Sequence, residues 1–495
     1  MSALAVPLIL LSSLVQAPQA SKPPTPAPRD LVARALTAMG GEPAVRGIRN
    51  VTVTYYLASF GLGQEETPQS PPRATLTTGT QIIDYGGGRQ LTLTEVRNPA
   101  GAVTKVRRVI AGGIGMTDAN GTQTADAPLA VANVERNQRR LPDRVLLAAY
   151  DNPTTLRSLP ARTWRGESVD GVHYTSAQDT LDVYFDRRSG LPVLIETVTD
   201  DPILGDRRTL VAYTRWQNAG GVLSPRQWDL DVNGRLQNAW VFTAVTTNGT
   251  VADSLFVIPD SIKAKAQPSN PTPPPITVTL VELAPNVWRA EGGSHHSLII
   301  DQGTRLVVAE APLSSQRVEA LLDTLRSRFP GKPVGMVINT HHHWDHASGL
   351  RATLAANLPI VTHARNVSFV RSIASTRKTV RPDALSRSGR PSRSTITGVE
   401  DTMTIGSGDT RVVVYRLPSA HAEGLLAVYV PAARILFQSD VVNAAPTPPA
   451  AGSAELISFV KARGIAVDKV AGGHGLVLAW ADVERAAAPP PTSSN

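Results

Sequence analysis

The sequence predicts an α+β protein in two parts, an N-terminal antiparallel β-sheet of curved or half-barrel form and a second unit of mixed helices and strands. Three observations carry this. From residue 50 to about residue 259 the chain alternates apolar and polar residues with period two, broken by turn signals such as Gly86-Gly87-Gly88, Ser189-Gly190 and Asn233-Gly234. Such alternation describes strands with one buried face, as antiparallel sheets have. Residues 266–276 then carry prolines at a density that holds the chain extended and keeps it out of a sheet. Beyond them, short apolar runs are each followed by a loop bearing His or Asp, as in folds whose sites lie past the carboxyl ends of strands.

Taken in order, residues 1–20 read as a signal peptide. Residues 4–15 are mostly apolar, too few to span a membrane, and small residues follow at Ala17 and Ala20. Residues 21–265 form the sheet domain. A short amphipathic helix over 30–39 ends at Gly40-Gly41. Strands follow at 51–56, 90–94, 180–185 and 193–198, with a helical patch at 143–151. Residues 266–276 are the linker, 277–485 the second domain, and 486–495 a small, Pro-rich tail expected to be disordered.

The chemistry concentrates in the second domain. Nine of the ten histidines lie at or after His295. The run Asn339-Thr340-His341-His342-His343-Trp344-Asp345-His346 contains His-x-His-x-Asp-His. Imidazole nitrogen and carboxylate oxygen are the donors that hold zinc at roughly 2.0–2.2 Å. Buried imidazoles also need partners for two nitrogens each, so packing does not explain such a cluster. The preceding residues, 333–339, read as a buried strand. His421 sits in a loop between two apolar strands, Asp440 ends the strand 435–439, and His474 follows Gly472-Gly473. His341, His343, Asp345, His346, His421, Asp440 and His474 are enough ligands for two metals with one carboxylate bridging. An exposed His-rich loop binding metal adventitiously is the weaker explanation, because the later segments supply the missing ligands.

These motifs resemble the metallo-β-lactamase-fold hydrolase superfamily, over about residues 277–485 and in the family's order. The resemblance implies an αβ/βα sandwich. It implies that His341, His343 and His421 hold one metal, that Asp345, His346 and His474 hold the second, and that Asp440 bridges. The pattern is closer to glyoxalase II than to the true β-lactamases, and with no cysteine in the chain a Cys-containing site is excluded. Gly292-Gly293-Ser294-His295-His296 and Glu310-Ala311-Pro312 are similar to an uncharacterised bacterial branch, which implies that His295 and Glu310 lie near the metal site, Glu310 as a carboxylate that orients its loop and His295 as a ring hydrogen-bonded to the ligands, direct catalysis by either being the weaker alternative. Residues 29–259 weakly resemble periplasmic lipoprotein-carrier proteins, through Tyr184-Phe185-Asp186, Gly190-Leu191-Pro192 and Tyr213-Thr214-Arg215-Trp216.

The expected function is a periplasmic or secreted hydrolase with two Zn2+ ions, iron or manganese being compatible with the same donors. A metal-bridging hydroxide would cleave an ester, thioester, lactone or related bond of a small-molecule substrate, with Asp345 as proton acceptor. The alternatives are an iron-dependent oxidoreductase of the same fold and a non-catalytic lipid- or ligand-binding protein. The net charge of +8 is dispersed, which excludes the basic stripe of a nucleic-acid binder. No run reaches membrane-spanning length. The one basic cluster, at 371–393, is expected to be a solvated insertion, with a lid or an anionic-substrate contact as the sharper reading. All chemistry is expected beyond the linker, the first domain serving only substrate capture.

Overall fold

The computed structural model describes residues 26–98, 101–442 and 448–488. The expected signal peptide, 1–20, and residues 489–495 of the expected tail lie outside the described residues.

The first domain is one 13-stranded sheet built from two antiparallel meanders. One starts at Asn50–Phe60 and runs outward to an edge at Thr122–Ala125. The other runs from an edge at Leu156–Trp164 inward to Arg235–Thr247. Pairing of Asn50–Phe60 with Arg235–Thr247 joins them. Two helices cover one face. Leu31, Val32, Ala35 and Leu36 of Pro28–Ala38 fall on one stripe, as do Val145, Leu146 and Ala149 of Pro142–Asp151. Both stripes bury against Val172, Leu181, Val183, Phe185, Ile195 and Tyr213 of the sheet. A further helix, Pro128–Arg139, was not expected. It buries only Val131 and Ala132, too thin a stripe for periodicity to show. The linker is tied to this domain: Ser269 N donates to Gly113 O at 2.8 Å and Ser269 Oγ to Glu135 at 2.7 Å.

The second domain holds a seven-stranded sheet, from Thr279–Ala284 to Ile396–Val399, and a six-stranded sheet, from Thr402–Ile405 to Val477–Ala479. Alternation builds the layers. Leu298, Ile300, Val307 and Ala309 of the first sheet meet Leu426, Val428, Ile435 and Phe437 of the second. Their neighbours Ile299, Leu306 and Val308 face outward onto Val318, Leu321 and Leu325 of the helix Ser315–Arg328. On the far side Leu425, Ala427 and Leu436 face Leu456, Phe459 and Val460 of Ala450–Arg463. Strands buried on both faces carry continuous apolar runs. The result is the expected αβ/βα sandwich. Among the described residues no helix is long and apolar enough to cross a membrane.

Arg371, Arg377, Arg381, Arg387, Arg390 and Arg393 of the basic segment 371–393 are exposed, as expected of a solvated insertion, but residues 376–380 within it are not free. They are a docking surface for the first domain. Asp206, beside the turn after Pro192–Asp201, accepts from Thr379 N at 2.6 Å, Thr379 Oγ1 at 2.7 Å and Val380 N at 3.0 Å. Lys378 is buried, pairing with Asp200 and donating to Asp201 O at 3.1 Å. Ile203 joins the core of the second domain. Behind this surface the buried Arg351 pairs with Asp383 and donates to Ile373 O at 2.8 Å. Asp383 caps Ala384–Ser388 through Ser386 N at 2.9 Å.

Burial works to raise the Asp383 pKa, but Arg351 and the Ser386 amide bring it down to about 2. The folded value lies below the ordinary 3.8, so this pair's stabilisation is present above that value and is lost as pH falls toward 2. Removing one partner of a buried pair leaves the other uncompensated. Arg351→Met is therefore expected to cost about 3–5 kcal/mol, read at pH 7 as a lower urea midpoint, and to cost less as the pH falls below 3.8.

Candidate metal centre

The expected ligands all lie at one end of the sandwich because the strands that precede them end there. Val334–Ile338 leads to His341 and His343, and the short helix Trp344–Ala347 carries Asp345 and His346. Val412–Leu417 leads to His421, Ile435–Gln438 to Asp440, and Lys469–Gly472 to His474. Leu306–Ala309 leads to Glu310. Glu310 (φ 82°) and Asp440 (φ 68°) both take left-handed backbone conformations, which non-glycine residues adopt at a cost. The sharp turn aims each carboxylate inward from its strand end.

The donors converge in overlapping groups. His341, His343, His421 and Asp440 each offer an atom within 4.8 Å of the others, and so do His295, Asp345, His346 and His474. Asp440 stands in the middle. Its Oδ2 is 2.9 Å from His346 Nε2 and 3.1 Å from His421 Nε2, and its Oδ1 is 2.8 Å from His474 Nε2. All seven expected ligands are thus brought together. His295 lies against this cluster. Its Nε2 lies 3.3 Å from Asp345 Oδ2, the hydrogen bond to a ligand that was expected, and its ring centroid is 3.7 Å from that of His474, close enough for it also to join the second group of donors. The apposition comes from an isolated antiparallel bridge between His295 and His474, two loop residues far apart in the chain. His342 turns away from the cluster, its Nε2 3.0 Å from Glu65 O.

Glu310, wholly buried, supports the centre. It accepts from Ser439 Oγ at 2.8 Å and Thr340 Oγ1 at 2.5 Å, and lies 3.1 Å from His346 Nδ1. Thr340 Oγ1 is in turn 3.0 Å from His341 Nδ1. A ligand imidazole held at its other nitrogen in this way has its tautomer and orientation set.

The residues fit a metal. Among the described residues, His343 Nδ1 is buried with no hydrogen-bond partner, and the buried His341 Nε2 and His421 Nε2 make no well-aligned hydrogen bond, facing only Asp440 Oδ2 at 3.5 Å and 3.1 Å; all three belong to one group of converging donors. Burial, the main cause, pulls the His343 pKa down to about 3 and holds His341 well below the ordinary imidazole range. Both rings are therefore neutral near pH 7, as metal ligands must be. Burial works against charge on Asp440, but the surrounding imidazoles hold its carboxyl well below the ordinary range. Burial also opposes charge on His346, yet Glu310 and Asp440 raise its pKa to about 10. This corner of the site is built to hold positive charge.

The expectation that the first domain stays outside the centre is overturned. The loop after Asn50–Phe60 reaches it. Glu65 O lies 2.8 Å from His343 Nε2, Gln64 Nε2 donates to Asp345 Oδ1 at 2.9 Å, and Arg73 donates to His421 O at 3.0 Å. No period or spacing in residues 61–73 signals this, since each contact spans more than 270 residues of chain.

Residues 282–474 match the family model described as the metallo-beta-lactamase superfamily, and that part of the chain belongs to the superfamily. The chain is 27% identical over 172 residues to the alpha subunit of 2,4-dinitroanisole O-demethylase from Nocardioides sp. (strain JS1661), a match covering 34% of this chain and 48% of that one. It thus spans about half the length of the curated relative it matches. Among solved structures it is similar to the metallo-β-lactamase from Pontibacter korlensis (18% identity, TM-score 0.34, 43% of this chain and 97% of that one). It is also similar to FIM-1 from Pseudomonas aeruginosa (13% identity, TM-score 0.35, 43% and 95%).

Loss of a support behind a metal ligand typically costs about 10–100-fold in metal affinity. Glu310→Gln keeps the shape but removes the charge that faces His346. It is expected to weaken metal binding by a factor in that range, measured by competition against a chelator, while the circular dichroism spectrum is unchanged.

Proposed function

We propose that this protein is a zinc-dependent hydrolase acting in the periplasm or after secretion on a small molecule with an ester, thioester, lactone or related bond. The observation that carries the reading is the set of three buried imidazole nitrogens, none in a well-aligned hydrogen bond, converging with Asp440. In this reading His341, His343 and His421 hold one metal. Asp345, His346 and His474 hold the second, joined by His295 on geometric grounds, and Asp440 lies between the two. A zinc pair supplies Lewis-acid polarisation and a water acidic enough to serve as nucleophile near neutral pH.

The chain's own groups do the rest. Gln64 holds Asp345 Oδ1, which leaves Oδ2 as the atom turned toward His295 and His346. Asp345 Oδ2 is the proton acceptor for an attacking water. Its carboxyl is held well below the ordinary range: burial raises its pKa, but His295, His346 and Gln64 more than offset this. It is therefore ionised at neutral pH. The side chain of Asp345 is also about one-third exposed, so a substrate can reach it.

Purified full-length protein is expected to take up about two zinc equivalents, by elemental analysis. Asp440→Ala should lose bound metal together with hydrolysis, because that carboxylate faces both donor groups. Assaying esters, thioesters, lactones, β-lactams, phosphodiesters and an aryl methyl ether, with and without chelator, tests the reaction. The ether is included because the relative is named an O-demethylase. Uptake of iron in place of zinc, with no hydrolysis of any of these, would turn the reading to an oxidoreductase.

A further inference from the structure

Residues 61–73 belong by chain position to the first domain, and by contact to the metal centre. We infer that this loop is a built part of the centre, positioning His343, Asp345 and His421 and setting how tightly the metals are held. The inference rests on the two-metal reading above.

Three contacts reach three of the expected ligands. His343 Nε2 donates to Glu65 O, so its proton sits on Nε2 and its lone pair on Nδ1, the atom that has no partner. Gln64 fixes one oxygen of Asp345 and thereby aims the other. Arg73 donates to Ala420 O at 2.7 Å and to His421 O, clamping the backbone that carries the third imidazole. These are outer hydrogen bonds of the kind that set ligand tautomer and orientation, except that another domain supplies them.

The loop is itself locked onto the motif. Trp344 N donates to Gly63 O at 3.1 Å and Glu423 N to Glu66 O at 2.8 Å. Glu65 is buried and paired with Arg235 of the sheet. Gly63 has φ +81°, and a Cβ there would lie 2.1 Å from the Trp344 indole. Trp344 stands between His343 and Asp345, so the glycine lets loop backbone lie directly against the ligand-bearing segment. A loop that merely packed the domains together would have no need to address the ligands at their free polar atoms.

The test uses full-length protein: wild type, Gln64→Ala, Gly63→Ala, and Asp206→Ala at the other interdomain contact. Zinc affinity is measured by chelator competition, and cobalt substitution reports ligand geometry through its visible absorption. Gln64→Ala is expected to weaken binding at the Asp345-bearing site by about 10–100-fold and to shift its cobalt spectrum. Gly63→Ala should weaken both sites, and Asp206→Ala should leave both at wild-type affinity. A wild type that binds no metal defeats the two-metal reading itself. A wild type that binds two, with Gln64→Ala equal to it in affinity and spectrum, overturns the loop's role while leaving that reading intact. Equal weakening by Asp206→Ala also overturns it, since general domain docking would then account for the effect. Should Gly63→Ala not fold, Gln64→Ala decides alone, because it deletes one half-buried amide and no packing glycine.

Discussion

Asp440 is the interaction on which the second domain turns. A carboxylate set among the imidazoles of His341, His346, His421 and His474 is costly to bury unless positive charge is brought to it. Four strand ends must meet to supply that environment, and the sandwich makes them meet. Glu310 repeats the logic one layer deeper, wholly buried and holding His346, Thr340 and Ser439. Both carboxylates sit on left-handed backbone. The layers of apolar alternation around them are what make such strain affordable.

The two domains are less independent than a proline linker suggests. Ser269 ties the linker back to the first sheet, the turn at 201–206 seats in the segment 376–380, and the loop 61–73 reaches the ligands. Two separated contacts fix orientation more firmly than one. Through the loop alone, the first domain bears on where ligand atoms point. That is a different role from delivering substrate to a finished site, and it gives a physical reason for joining a large sheet to a metal-binding sandwich in one chain.

That sheet also encloses an aromatic cavity of about 420 Å³, lined by Tyr55, Tyr213, Trp228, Trp240 and Phe242. The aromatic rings pack edge to face, Trp228 against Tyr213 at 5.7 Å and against Phe242 at 4.6 Å. Gln81, Gln90, Asn137 and Gln138 share the lining, so the space is apolar with polar groups at intervals.

The two-part α+β architecture and the seven expected ligands were legible in the sequence because both are written locally. Period-two alternation reports a buried face wherever it occurs, and His-x-His-x-Asp-His places four ligating side chains within one turn-sized segment. His421, Asp440 and His474 were legible for the same reason, each following an apolar strand that had to end somewhere. What the sequence could not carry was pairing at long range. His295 comes beside His474 only through a bridge between distant loop residues. Lys378 reads as one more solvated base until Asp200 covers it. Pro128–Arg139 has too few buried residues to announce itself. The loop 61–73 touches the centre through a main-chain carbonyl, which is the same for every residue, one glycine's missing side chain, and Gln64 and Arg73, two polar side chains with nothing in their own neighbourhood to mark their distant partners. Side-chain chemistry was therefore set by the sequence alone, whereas the company each side chain keeps was decided only by the tertiary structure.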